Sequence, residues 1–258
     1  MERVVYKGNT GSHPIEVMDE GPLRSLRFGA EERQSCIDLN APHELQLAYT
    51  RWMMTALLFH PDPKKFLLCG LGGGSIAHFL LHHHPHACLD IIEKEEKVIH
   101  VAKKFFHLPC ASGLHLYKND VIDFLCSPPS ARVFYQIAFI DIFGPRSMAP
   151  PLFIPDFYRS ILDRLEPNGV MAVNLWNGDK HLYGMARQAI RESCNNQMLE
   201  MAVKKRSNAI VLIFPEELPK KTLRKARKNS VQHQQHYDLP FHRYLKKIRR
   251  TNKITLFA

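Results

Sequence analysis

Between Lys65 and His84 the chain reads KFLLCGLGGGSIAHFLLHHH. An apolar run of strand length meets Gly70, Gly72, Gly73 and Gly74, then gives way at once to an apolar run of helical length. Both flanks call for burial, yet the residues that join them carry almost no side chains. Glycine admits conformations and close approaches that a Cβ forbids, so the knot marks a strand-to-helix turn where a ligand can reach bare main chain and the helix N-terminus.

The alternation continues downstream. ACLDIIE, LHLYKN, YQIAFID and GVMAVNLW read as strands, and the segments 75–83, 95–106, 121–125 and 155–165 have helical composition. Strands that are almost wholly apolar are buried on both faces, as in a parallel sheet with helices above and below. After a further helix near 180–193, MLEMAVKK and AIVLIFP are separated only by RSN, which predicts a terminal hairpin. The pattern specifies an α/β, Rossmann-like sheet of the class I methyltransferase type, its last two strands breaking the parallel order. Ahead of it, VVYK, IEVMD, LRSLRF and QSCIDL alternate with turn-rich stretches and predict a small N-terminal antiparallel β-module. A helix over 43–59, ended by Pro61 and Pro63, is expected to join the two. The domain reading is 1–41 for the β-module, 42–218 for the α/β domain and 219–258 for a basic tail.

That tail holds most of the charge. Of a net +10, residues 219–258 supply twelve Lys and Arg against one acid, Asp238, leaving 23 bases and 24 acids for the body. The tail reads as a solvated flexible or helical extension, in preference to an arm for nucleic acid or for acidic surfaces. Six scattered cysteines without C-x-x-C spacing argue against a zinc site or a disulfide framework. The start lacks the apolar core of a signal peptide and no long charge-free apolar stretch follows, so a cytoplasmic protein with no membrane association is expected. His82, His83, His84 and His86 read as a helix end stopped at Pro85 rather than a metal site.

Three acids fall where strands should end, at the edge that binds ligands in open α/β folds. Glu93 lies nineteen residues after Gly74, where a carboxylate can accept from both hydroxyls of a ribose. With Gly70, Gly72 and Gly74 in a G-x-G-x-G pattern, it favours an adenosyl sulfonium over a dinucleotide; the alternative is a tight turn with a solvated Glu93. Asp120 either accepts from an adenine amino group or simply caps the short helix after it. Asp141 ends an apolar strand, where a carboxylate is costly unless it faces a cleft or has a partner. It is the leading candidate for a catalytic residue.

Over residues 15–215 these features, with Gln34 in RQSCID, Tyr49 in LAYTRWM, and FIDIFGP followed by PPLFIPDFYRSILDRLEPNGVMAVNLW, resemble the spermidine synthase (polyamine aminopropyltransferase) family. The resemblance implies that Gln34, Glu93 and Asp120 hold the nucleoside, that Asp141 is the first Asp of the D-x-x-D loop, and that Tyr49 borders the acceptor amine. It implies aminopropyl transfer from decarboxylated S-adenosylmethionine to a small amine, without a metal, in a homodimer or homotetramer. The sequence also departs from the pattern. Gly73 and Gly144 stand where the family has loop acids, and Thr50 and Arg51 follow Tyr49 where it has Tyr-x-Glu. A site for cationic substrates gains from carboxylates, so these losses argue against ordinary putrescine chemistry and place the chain in a divergent, spermidine-synthase-like branch. Two alternatives follow: methyl transfer from S-adenosylmethionine, or a catalytically silent nucleoside- or nucleic-acid-binding protein.

Overall fold

The computed structural model describes residues 2–252 apart from 12, 30–32, 61, 127–132, 145–146, 205 and 217–219. Pro61, Phe257 and the predicted boundary at 218–219 lie outside the described residues. Four antiparallel strands come first: β1 (Glu2–Asn9), β2 (Pro14–Glu20), β3 (Leu23–Arg27) and β4 (Ser35–Asp38), paired in that order. The remaining strands form one sheet: β5 (Lys65–Cys69), β6 (Cys88–Glu93), β7 (Leu114–Lys118), β8 (Tyr135–Ile140), β9 (Leu165–Trp176), β10 (Met198–Ala202) and β11 (Asn208–Ile213). Its order is β10-β11-β9-β8-β5-β6-β7, parallel except that β11 runs antiparallel to both β9 and β10. The predicted hairpin is therefore present at one edge. β8 and β6 flank β5 on opposite sides, so the chain reverses its winding direction at the glycine turn. Ligand crevices of open α/β sheets form at such a point.

Alternate residues of each central strand serve opposite cores. Phe66, Leu68, Ile137, Phe139 and Ile210 face one side, and Leu67, Cys69, Ala138, Ile140 and Val211 the other. The second core is closed by α4 (Val121–Cys126), α5 (Pro155–Leu162) and α6 (Lys180–Ser193). The first is closed by α1 (Ala48–Met53), a 3₁₀ turn at Met54–Leu58 and α2 (Ser75–His83). A third cluster fastens the N-terminal sheet, through Ile15, Val17, Leu26 and Ile37, onto Val98, Val101 and Phe106 in and just after α3 (Glu96–Phe105). That packing holds the small sheet over the glycine turn.

The expected helix over 43–59 is shorter. It begins at Ala48: the Leu45 and Gln46 carbonyls accept from the Arg51 guanidinium instead of from backbone donors, and the N-cap Leu47 carbonyl accepts the first helical bond, from Arg51 N–H at 3.4 Å, together with the Thr50 hydroxyl. The helix expected over 155–165 stops at Leu162, since Leu165 already pairs with Tyr135 at the start of β9.

The tail corrects the solvated-extension reading. It forms α7 (Lys220–Tyr237) and α8 (Phe241–Thr251), and Leu223, Tyr237, Leu239, Phe241, Tyr244, Leu245 and Ile248 are buried in the same core as β5 and α2. Apolar residues at 241, 244, 245 and 248 make one helical stripe, and its burial outweighs the repulsion of the basic face, which stays in water at Arg243, Lys246, Lys247 and Arg250. Tyr237 stacks on Phe79, and its hydroxyl lies 3.1 Å from His84 Nε2. Burial there pushes His83 and His84 down to about 4, with neighbouring histidines adding to the effect. Among the described residues no group of three or more His, Cys, Asp or Glu is arranged to hold a metal, and no helix is long and apolar enough to cross a membrane.

Candidate active site

The exits of β5, β6, β7 and β8 open into one cavity of about 570 Å³, roofed by His13, Phe28, Gln34 and Ser35 of the N-terminal module. The strand ends are stitched together by backbone bonds: Gly70 N–H donates to the Ile92 carbonyl and Asp141 N–H to the Cys69 carbonyl, both at 2.9 Å. Gly70 sits at φ +92°, and a Cβ there would lie 2.2 Å from the Asp141 carbonyl oxygen. Only glycine lets the exit of β8 cross this close to the end of β5.

Glu93 ends β6 and lines the cavity. Its Oε2 accepts from Leu71 N–H at 3.0 Å and its Oε1 from Glu95 N–H at 2.9 Å. Burial raises its pKa, and these two backbone donors pull against that rise. A carboxylate oxygen accepts more than one hydrogen bond, so each still has a lone pair for a hydroxyl donor in the cavity. Asp120 receives Ile122 N–H on Oδ1 at 2.9 Å and also lines the cavity, so the cap and the cavity position coincide. Gln34 lines it too, and its backbone carbonyl accepts from the Tyr49 hydroxyl at 3.1 Å. Of the three predicted glycines, Gly70 and Gly72 line the cavity. Gly74 does not; it caps α2, and a Cβ there would meet Leu108 at 2.9 Å.

The structure brings Asp141 and Tyr49 together, the Tyr49 hydroxyl donating to Asp141 Oδ2 at 3.1 Å. Two further residues complete the network. Asn174 of β9 donates its amide to Asp141 Oδ1 at 2.9 Å, and Asn208 of β11 donates to Asn174 Oδ1 at 3.1 Å, fixing which way that amide points. Sequence reading missed both asparagines, although Asn174 carries the signal that marks Asp141, a polar residue in an apolar strand. Burial pushes Asp141 up to about 6, against the lowering effect of the Asn174 and Tyr49 hydrogen bonds. A carboxyl poised there can hold or release a proton near neutrality.

The missing acids behave differently from one another. A side chain at Gly73 would run into the Phe106 ring at 2.7 Å and Ser35 Oγ at 2.9 Å, so that place is filled. At Gly144 the nearest atom among the described residues is the Ser147 carbonyl oxygen at 3.5 Å, and Gly144 lines the cavity.

The spermine/spermidine synthase domain model matches residues 46–210. The chain belongs to the spermine/spermidine synthase family. It is 30% identical over 242 residues to the polyamine aminopropyltransferase of Chromobacterium violaceum, covering 93% of this chain and 91% of that one. Among solved structures it resembles spermidine synthase in complex with the transition-state analogue AdoDATO, with a TM-score of 0.66, 18% identity and coverage of 95% and 88%. It also resembles human methyltransferase-like protein 13 in complex with SAH, with a TM-score of 0.63, 21% identity and coverage of 78% and 93%. This family member is a transferase of the polyamine aminopropyltransferase type. The family match spans the glycine turn, Glu93, Asp120, Asp141 and Asn174, whereas Gln34 and the cavity roof precede it.

Proposed function

We propose that the enzyme transfers the aminopropyl group of decarboxylated S-adenosylmethionine to the nitrogen of an amine. The observation that carries this reading is the charge of the cavity wall, where, among the described residues, Glu93, Glu95, Asp120 and Asp141 face one basic side chain, Lys94. The decarboxylated donor bears a sulfonium and an ammonium but no carboxylate. An acidic wall attracts it more than it attracts a donor that keeps its carboxylate. The adenosine-bearing ligands of the two structural neighbours support a nucleoside at this edge.

In this reading Glu93 accepts from the ribose hydroxyls, Asp120 lies at the adenine end and Asp141 meets the acceptor. The amine nitrogen must be neutral to attack. Asp141, held by Asn174 and Tyr49, takes the proton that the nitrogen sheds, directly or through water. The new C–N bond forms as the C–S bond breaks, and its electron pair goes to sulfur, leaving neutral methylthioadenosine. Alignment of nitrogen, carbon and sulfur in a cavity closed by the N-terminal module supplies the orientation that such a displacement needs.

Titration calorimetry with decarboxylated S-adenosylmethionine, S-adenosylmethionine and methylthioadenosine tests the assignment. Tightest binding of the decarboxylated donor is expected. Preference for S-adenosylmethionine would replace aminopropyl with methyl transfer, and no binding of any of the three would leave a protein without this chemistry.

A further inference from the structure

We propose that the outer face of α8 docks the phosphate backbone of a nucleic-acid duplex, a partner outside the transfer reaction. Phe241, Tyr244, Leu245 and Ile248 are buried in the core, and Arg243, Lys246, Lys247 and Arg250 repeat the same spacing two residues on, exposed, about 200° around the helix. At about 1.5 Å of rise per residue the four cations span roughly 10 Å along one stripe. The stripe is fixed to the body. The Trp52 and Tyr244 rings meet at 4.5 Å, and Asn252 at the end of α8 accepts from Glu200 N–H at 2.9 Å and donates to the Glu200 carbonyl at 3.0 Å.

This charge works against the helix that carries it. Arg243 lies in the first turn, at the positive end of the helix dipole, and that turn holds no acid to offset it. Arg243 with Lys246 and Lys247, and Arg250 with Lys246 and Lys247, set like charges three and four residues apart, which opposes helix formation. Cations on other elements are matched, Lys118 by Glu96 at 2.8 Å and Arg187 by Glu200 at 2.5 Å. From 220 to 252 the one acid is Asp238, and among the described residues the four stripe cations form no ion pair. Neutral polar side chains at these positions would serve the helix better, so the charge serves an anionic partner.

A duplex carries one negative charge per about 1.7 Å of its axis, enough to face every cation of the stripe, and its non-specific binding rests on such contacts. A bilayer suits the helix less. Membrane-bound amphipathic helices insert an apolar face, and that of α8 is packed inside, with Phe241 and Ile248 fully buried. Single strands are held largely by bases stacked on aromatic rings, whereas Tyr237, Phe241 and Tyr244 all lie in the core. The contact is therefore to phosphates and independent of sequence. Among the described residues none of 220–252 lines the cavity, so the stripe and the transfer site are separate surfaces.

The test measures fluorescence anisotropy of the full chain with short labelled DNA and RNA duplexes and with single-stranded DNA, and co-sedimentation with phosphatidylserine vesicles. Four phosphate contacts predict a slope of log affinity against log salt of about −3 to −4, a loss on the order of a hundredfold between about 50 and 200 mM salt. Duplexes of unrelated sequence should bind alike. The combined variant Arg243→Gln, Lys246→Gln, Lys247→Gln and Arg250→Gln should lose duplex affinity on the order of a hundredfold at about 50 mM salt and flatten the slope by about 3 to 4. Its helical content by circular dichroism should be unchanged and its melting temperature equal or higher, because like-charge repulsion is relieved. A control with the exposed Lys97, Lys103, Lys104 and Lys180 changed to Gln gives up as many charges and should keep most of the affinity. No duplex binding at the lower salt, or tighter binding of single strands or of vesicles, would overturn the assignment. So would an equal loss in the control, which would leave net charge as the cause, or a lower melting temperature in the stripe variant, which would return the stripe to a structural role.

Discussion

The Tyr49 hydroxyl lies 3.1 Å from Asp141 Oδ2 and 3.1 Å from the Gln34 carbonyl, so one proton faces two acceptors. While Asp141 is ionised, only one of them can be satisfied. When Asp141 is protonated it donates to Tyr49, Tyr49 donates to Gln34, and Asn174 still donates to Oδ1. Burial pushes the Asp141 pKa up to about 6, and the Asn174 and Tyr49 hydrogen bonds pull against that rise by favouring the ionised form that catalysis requires.

Asp141→Asn should abolish turnover while leaving methylthioadenosine affinity within about twofold, because an amide reproduces the protonated carboxyl but cannot accept the substrate proton. It should also stabilise the fold. With its folded pKa raised, the native state binds more protons than the unfolded state between about pH 4 and 6, so the wild type loses stability as pH rises through that window. At pH 8 the variant should gain roughly 1–3 kcal/mol in chemical denaturation, and the gain should vanish near pH 4. Equal stability at both pH values would show that Asp141 is not strained by ionisation.

Tyr49→Phe removes a hydrogen bond that lowers the Asp141 pKa. The acid limb of the kcat/KM profile, expected near pH 6, should move upward in the variant. An unmoved limb with a lower plateau would reduce Tyr49 to a wall residue.

Asn174→Leu takes away the other donor to Asp141 and leaves the Asn208 amide without its acceptor. We expect a loss of about 1–3 kcal/mol in stability and an upward shift of the same acid limb. Asn174→Gln, which keeps the donor on a longer arm, should restore part of both; a stability loss without any change in the pH profile would confine Asn174 to packing.

Glu93→Gln should weaken methylthioadenosine binding on the order of 10–100-fold, since the amide turns one N–H₂ toward backbone donors and gives up an acceptor for the ribose. Calorimetry at a pH well above the Glu93 titration checks this. Undiminished affinity would place the sugar elsewhere.

Phe241→Ala should destabilise the whole protein by about 3–5 kcal/mol, because Phe241 is fully buried in the core that also holds β5 and α2. Acidification acts on the same contact. His83 and His84 have folded pKa values depressed to about 4, so stability falls as pH drops from about 6.5 toward 4, and α7 should lose hydrogen-exchange protection first. Among the described residues His43, His82, His236 and Lys64 oppose protonation there and Asp62 favours it. Simultaneous loss across the domain would show that the tail is not a separable unit.

Much of this protein is legible in its sequence because the signals are local. Apolar runs of strand length, a turn that needs glycine at Gly70 and helices bounded at Ser75–His83 and Lys180–Ser193 follow from propensity and spacing alone, and they specify a parallel sheet with a crevice at its edge. Strand ends carrying Glu93, Asp120 and Asp141 follow from the same rule. Distance in the chain limits the rest. Asp90 interrupts an apolar strand just as Asp141 does, yet Tyr135 and His115 satisfy both its oxygens, and only tertiary pairing separates a structural acid from one that faces a cavity. The tail's charge hid a helical stripe whose value depends on a groove built by residues well over a hundred positions earlier. The Phe106 ring closes the place at Gly73, whereas among the described residues nothing comes nearer than 3.5 Å to the place at Gly144, because packing across the fold, not the identity of either residue, decides how much room a side chain would have.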